Sequence, residues 1–170
     1  MKSLVIYFSH IGENYTESGI KKLEIGNTEI VANYIKELTN ADLFKVEAKE
    51  KYPENYDKCC SYAKKELNNH ARPELKNYLL DISSYDVIFI GGPVWWNHYP
   101  MPIFSCLEKL NFKDKIIMPF TTHEGSRLGN TLSDVFRMCP GSKIKRGLAL
   151  NGSHVKESKK EIEEWIKGEL

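Results

Sequence analysis

Short, continuous apolar runs alternate with amphipathic helical periods from one end of this chain to the other, and that alternation is what most constrains its fold. Leu4–Phe8, Val87–Ile90 and Ile116–Phe120 are runs biased toward β-branched and aromatic residues. Such runs suit strands buried on both faces. Pro119 weakens the third near its end. Leu43–Ala48 alternates apolar and polar residues, as a half-exposed edge strand does, and Gly147–Leu150, begun at Ile144, is the last strand. Between them lie five helical stripes. Asn27 caps the first, which carries Ile30, Val31, Tyr34, Ile35 and Leu38. Tyr56, Cys59, Cys60, Ala63 and Leu67 form the second; Ile103, Phe104, Leu107 and Leu110 the third. Leu128, Leu132, Val135 and Phe136 form the fourth, stopped by Pro140-Gly141, and Ile162, Trp165 and Ile166 the fifth.

Five strands separated by helices imply a parallel sheet with helices on both faces. No repeat or linker divides the 170 residues, so the expectation is one domain, 1–170. The 24 Lys and Arg against 23 Asp and Glu leave a net charge of +1. That balance argues against nucleic acid as a partner, because such binding needs an excess of cations. No run approaches the roughly 20 apolar residues of a membrane span, and Leu4–Phe8 is too short for a signal-peptide core. The expectation is a cytoplasmic protein without membrane partners. Cys59, Cys60, Cys106 and Cys139 show no C-x-x-C or zinc spacing and read as reduced thiols, with no metal.

In a doubly wound sheet of order 2-1-3-4-5, ligands bind beyond the carboxyl ends of the strands, where the winding direction switches. The segments to inspect are Ser9–Thr28, Gly91–Pro102 and Thr121–Asn130. The first opens with Ser9-His10 and closes with Gly26-Asn27-Thr28 at a helix start. Small residues at a helix N-terminus suit an anion, because free N–H groups and the helix dipole both favour negative charge; a plain helix cap is an equal reading. Neither a Walker loop nor a G-x-G-x-x-G fingerprint occurs. The second segment holds Trp95 and Trp96, of which one packs inward and the other, Trp96 by preference, stacks on a flat ligand in the crevice. The alternative places both in the core. The third, Thr121-Thr122-His123-Glu124-Gly125-Ser126, offers glycine and hydroxyls for close backbone approach to a ring edge, or simply exposed polar residues. His70 and His154 read as surface residues.

Tyr7-Phe8-Ser9, Gly12-Glu13-Asn14-Tyr15, Gly26-Asn27-Thr28-Glu29, Gly92-Pro93-Val94-Trp95-Trp96, Phe120-Thr121-Thr122 and Gly125-Ser126 resemble the flavodoxin family, in particular short flavodoxin-like proteins with an extended first loop. Tyr52-Pro53 through Arg72-Pro73-Glu74-Leu75 is also similar to this group. The resemblance implies a flavodoxin-like three-layer α/β sandwich with a five-stranded parallel sheet of order 2-1-3-4-5 and non-covalent FMN. Ser9, His10, Asn27 and Thr28 then correspond to phosphate-loop positions. Pro93, Val94, Trp95, Trp96 and Asn97 flank the flavin ring, and Thr121, Thr122, His123, Glu124, Gly125 and Ser126 run along its pyrimidine edge. FMN carries the redox chemistry, so no catalytic side chain is expected. The implied partners are a redox protein or a small-molecule acceptor, with NAD(P)H a candidate donor and a monomer or homodimer as the assembly.

Three departures stand out. About sixteen residues separate His10 from Asn27, long for a strand–helix connection, and Tyr15 in that insert is placed to cover the flavin. Asn97 stands where a glycine often follows the tryptophan, and Asn tolerates φ > 0. The chain also lacks the acidic excess of familiar electron-carrier flavodoxins. A phospho-receiver of the same strand order fits poorly, because Ser9-His10, Gly91-Gly92 and Asn151-Gly152 stand where its acidic cluster, Asp and Lys belong. A flavin-free signalling or binding domain of this fold is the alternative.

Overall fold

The computed structural model describes residues 1–170. Its elements are β1 (Ser3–Tyr7), β2 (Gly12–Thr16), β3 (Gly19–Leu23), α1 (Asn27–Thr39), β4 (Asp42–Lys45), α2 (Tyr56–Asn68), β5 (Val87–Pro93), α3 (Met101–Leu107), β6 (Ile116–His123), α4 (Thr131–Met138), β7 (Lys143–Ile144), β8 (Leu148–Asn151) and α5 (Lys159–Glu169), with a 3-10 turn over Gly152–Glu157. The central sheet runs β4-β1-β5-β6-β7, and β8 also pairs with β6. All its ladders are parallel. This is the expected order, with the last strand split in two. Ile117 pairs with Ile144 and Phe120 with Leu148, so the edge strand spends one residue more than β6 between the two pairs. That mismatch bulges the edge strand, and the interruption lies opposite Met118 and Pro119. The sheet therefore has six strands rather than five.

Two dry clusters cover the sheet. Leu4, Ile6, Ile88, Ile90 and Ile117 face Ile103, Phe104, Leu107 and Val135 on one side. Val5, Tyr7, Val87, Phe89, Met118 and Phe120 face Val31, Ile35, Ile162 and Trp165 on the other. Alternate residues of each central strand thus serve opposite layers, which is why those strands read as continuous apolar runs. In α4 the expected apolar stripe is only half used: Val135 is buried, whereas Leu132 is 36% and Phe136 75% exposed.

β5 and β6 run further than the apolar runs alone suggest. Gly92 pairs with Thr121 and Pro93 with Thr122, while β8 pairs with Thr121–His123 from the other side. Thr121, Thr122 and His123, expected in a loop, are therefore strand residues. Hydrogen bonding from both neighbours keeps these polar positions extended beyond the apolar core.

The insert is a β-hairpin. β2 and β3 pair antiparallel from Gly12↔Leu23 to Thr16↔Gly19, closed by Glu17-Ser18. Gly12 takes φ 88, and a Cβ there would lie 3.2 Å from the Glu54 backbone. No helix of the protein is long and apolar enough to cross a membrane.

Candidate functional site

A cleft crosses the carboxyl ends of β1, β5 and β6, and two contiguous cavities make it up. The larger, about 500 Å³, is lined by Glu13, Asn14, Tyr56, Cys59, Cys60, Ala63 and Asn97 among others. The smaller, about 250 Å³, reaches Asn27, Thr28, Thr122, His123, Glu124 and Gly152. His10, Asn14, Tyr56, Val94, Trp95 and Ser126 line both. The larger cavity is within the range of ordinary small-molecule sites. No lysine or arginine lines either one; the carboxylates are Glu13 and Glu124.

The narrow end is built from backbone. Gly26, not Asn27, is the residue before α1, and no side chain of its own caps the helix. The cap comes from seventeen positions upstream of it: the Glu29 N–H donates to Ser9 Oγ at 3.1 Å. A Cβ on Gly26 would lie 2.1 Å from that oxygen and 2.8 Å from the His10 carbonyl, so only glycine admits this closure. The N–H groups of Asn27 and Thr28 have no partner in the chain and open the helix N-terminus toward the cleft. Thr28 Oγ1 and Thr122 Oγ1 lie 2.8 Å apart. Ser153 Oγ donates to Glu124 Oε1 at 2.7 Å. His10 Nε2 is buried and has no hydrogen-bond partner. Burial also lowers the His10 pKa, against a weaker opposing pull from Glu54, so the ring is neutral near pH 7. Burial and Arg127 lower His123 in the same way; its Nδ1 accepts from the Gly125 N–H at 2.9 Å. An unsatisfied ring nitrogen, two free N–H groups and two hydroxyls converge here, a donor set suited to a phosphate with its sugar-like chain.

The wide end is built from side chains. Trp95 and His98 exchange backbone hydrogen bonds of 2.8 and 3.1 Å, closing a tight turn over Trp96 (φ 51) and Asn97 (φ 70). Positive φ at both central residues is the type I′ arrangement. Asn suits it; Trp does not, so the turn is held in place by its surroundings. Asp134, 1% exposed, supplies the main hold. Its carboxylate meets His98 Nδ1 at 2.9 Å and accepts the Tyr99 N–H at 3.3 Å. Arg137 adds a 3.0 Å contact from the surface. From the other side, the Asn130 N–H donates to the Asn97 carbonyl at 2.6 Å. Gly129, at φ 50, is required there because a Cβ would lie 2.7 Å from that carbonyl.

The tryptophans diverge, and both reach the cleft. Trp95 packs edge-on against Phe8, His10 and Tyr52 at ring separations of 5.2, 5.5 and 5.0 Å. Trp96 is 46% exposed; its Nε1–H donates to the Cys60 carbonyl at 3.0 Å, and Lys64 lies 4.5 Å over its ring. Ser9, Thr121 and Gly125, expected at the ligand, line neither cavity: Ser9 caps α1, the buried Thr121 Oγ1 donates to the Arg127 carbonyl at 2.9 Å, and the Gly125 N–H is turned to His123. The glycines of Gly91-Gly92 serve packing: a Cβ on Gly91 would lie 2.0 Å from the Phe120 ring, and one on Gly92 3.1 Å from Tyr99. The Cys59 thiol is pushed up to about 12 by burial and is not a nucleophile at neutral pH.

Sequence reasoning missed the α2 wall, where Tyr56, Cys59, Cys60 and Ala63 face the ligand space. It also missed Asp134, whose only signal is a carboxylate within an apolar helical stripe.

Comparison with known proteins agrees with this geometry. A family model described as Flavodoxin matches residues 2–169. No curated protein matches the chain. Among solved structures, a candidate flavoprotein from Bacteroides uniformis is 27% identical, with TM-score 0.75, covering 98% of this chain and 97% of its own. Another, from Bacteroides eggerthii, is 25% identical, with TM-score 0.69 and coverages of 95% and 97%. A flavoprotein from Lactobacillus acidophilus, solved in complex with FMN, shares the fold at 20% identity and TM-score 0.63, covering 92% of this chain and 97% of its own. Fold, cleft and family match point the same way: the chain belongs to the flavodoxin family.

Proposed function

We propose that this protein binds FMN non-covalently and transfers electrons through it, as an oxidoreductase acting on a small acceptor with NAD(P)H as donor. The observation that carries the FMN reading is the pairing of a cation-free phosphate cradle with an aromatic-walled cavity in one cleft. Family membership and the FMN complex of a structural relative support it.

In this reading the Asn27 and Thr28 N–H groups bind the phosphate and the dipole of α1 offsets its charge. Neutral His10 donates from Nε2. Thr28 and Thr122 bond the ribityl hydroxyls. Trp95 and the α2 wall shape the ring cavity, Ser126 lies at the pyrimidine edge, and the Trp95–His98 turn sets the polar edge of the ring. When bound, FMN supplies the exchange of electrons between donor and acceptor. The neutral surface favours a small substrate over a charged protein partner, because a net charge of +1 gives little long-range steering. Four free thiols fit a reducing, cytoplasmic setting.

The purified protein is expected to be yellow and to release FMN on denaturation. A colourless protein that fails to bind added FMN would overturn the cofactor reading. NAD(P)H added with a soluble quinone should be consumed; a holoprotein that leaves NAD(P)H untouched would remove the reductase step and keep the FMN site.

A further inference from the structure

The hairpin is inserted into the middle of the phosphate cradle, between His10 and Gly26, and is tied down at two places. At its base, the Glu13 N–H donates to the Glu54 carbonyl at 2.9 Å. Glu13 Oε2 accepts the Tyr56 N–H at 2.7 Å and Asn55 Nδ2 at 3.3 Å, which places a carboxylate at the N-terminus of α2. At its tip, the Glu17 N–H donates to Ser153 Oγ at 3.0 Å, and Glu17 Oε2 meets His154 Nε2 at 2.8 Å. Ser153 passes the contact on, because its own hydroxyl donates to Glu124 in the cleft. Between the two anchors, Asn14 and Tyr15 form one wall of the smaller cavity.

Little apolar burial holds this arm. Tyr15 is 54% and Ile20 50% exposed, and Ile11 and Ile25, where the arm leaves the cradle, are also exposed. A segment held by a few surface hydrogen bonds opens locally at low free energy. The anchors are also unequal. The base combines a backbone bond with a helix terminus, whereas the tip rests on one hydroxyl and one exposed histidine–carboxylate hydrogen bond, with side chains 60% and 56% exposed.

We infer that residues 11–25 are a strap that swings about its base to admit and release the phosphate end of the cofactor, and that Glu17, Ser153 and His154 are its latch. These three are positioning residues: they act through Asn14, Tyr15 and Glu124 rather than on the ligand. The inference rests on the FMN reading above.

The test is stopped-flow binding and release of FMN, followed by flavin fluorescence, on the wild-type chain and on Glu17→Ala, Ser153→Ala and Ser153→Thr. A latch closes the site with or without ligand, so loosening it should raise association and release rates together. Losing one such hydrogen bond corresponds to roughly three- to tenfold in each rate, with Kd little changed. Ser153→Thr, which keeps the hydroxyl, should restore wild-type rates. Unchanged rates in both alanine variants would overturn the strap, and so would faster release at unchanged association. Wild-type protein that binds no FMN would instead defeat the cofactor reading. Hydrogen exchange is a second measure: FMN should slow exchange of the amides in 12–23, and equal exchange with and without FMN would overturn the closure.

Discussion

The two ends of the cleft recognise by opposite means. At the narrow end the groups that face the ligand are mostly backbone N–H and small hydroxyls, set by a glycine and a serine cap. At the wide end they are large side chains on a turn that one of its own residues, Trp96, strains. The first arrangement tolerates no added atom and needs no cation. The second tolerates changes of side chain provided the turn keeps its shape. Rigidity at one end comes from the main chain and at the other from a buried carboxylate.

The most severe break should come from Gly26→Ala. Its Cβ would overlap Ser9 Oγ and crowd the His10 backbone. Overpacking of this kind costs about 1–3 kcal/mol, and here it also displaces the N–H groups that face the phosphate. FMN affinity by fluorescence titration should fall by about a hundredfold or more. Asp134→Asn comes next and strikes the other end. It removes the charge that joins His98, the Tyr99 N–H and Arg137. The expected loss is about 2 kcal/mol, read as a fall of about 4–8 °C in the apoprotein Tm. An unchanged Tm would show that the turn holds itself.

Trp96→Ala should weaken FMN binding by about 1 kcal/mol, the lower end of aromatic stacking on a flat ring, because Trp96 is 46% exposed. No change in affinity would move the stacking role to Trp95. The smallest effect concerns His10. Burial lowers its folded-state pKa below 6.5, so the unfolded chain takes up the proton first. Stability is then complete above pH 6.5 and is lost as pH falls below it. The apoprotein Tm should decline from about pH 7 to about pH 5, and His10→Gln should flatten the decline. Bound FMN should oppose it too, because a phosphate beside the ring favours the charged form.

Much of the fold was legible because Leu4–Phe8, Val87–Ile90 and Ile116–Phe120 serve apolar layers on both faces, and burial of that kind writes itself into consecutive residues. The strand extensions were not legible. Thr121–His123 are polar and owe their extended shape to neighbours on both sides rather than to burial. The hairpin was hidden for a related reason: Gly12–Leu23 has no strict alternation, and Ser18-Gly19 is its single turn signal. Of the candidate site, the cleft-lining residues Asn27, Thr28, Trp95, Trp96, Asn97 and Ser126 lie in the segments that strand order alone singles out. His154 read as a lone surface histidine because its partner, Glu17, is 137 residues away. Leu132 and Phe136 fit a helical period as well as Val135 does, and periodicity does not tell an occupied face from an open one.

The broken margin of the sheet has a consequence for self-association. A sheet whose central strands are this apolar is a template for edge-to-edge aggregation if its borders are long and flat. Here one border, β4, is four residues long and ends in Lys45. The other is divided into pieces of two and four residues by Lys145-Arg146-Gly147. Neither offers a continuous row of pairing groups to a foreign strand. Such a border turns away β-addition to the central sheet, by another copy or by an extended peptide.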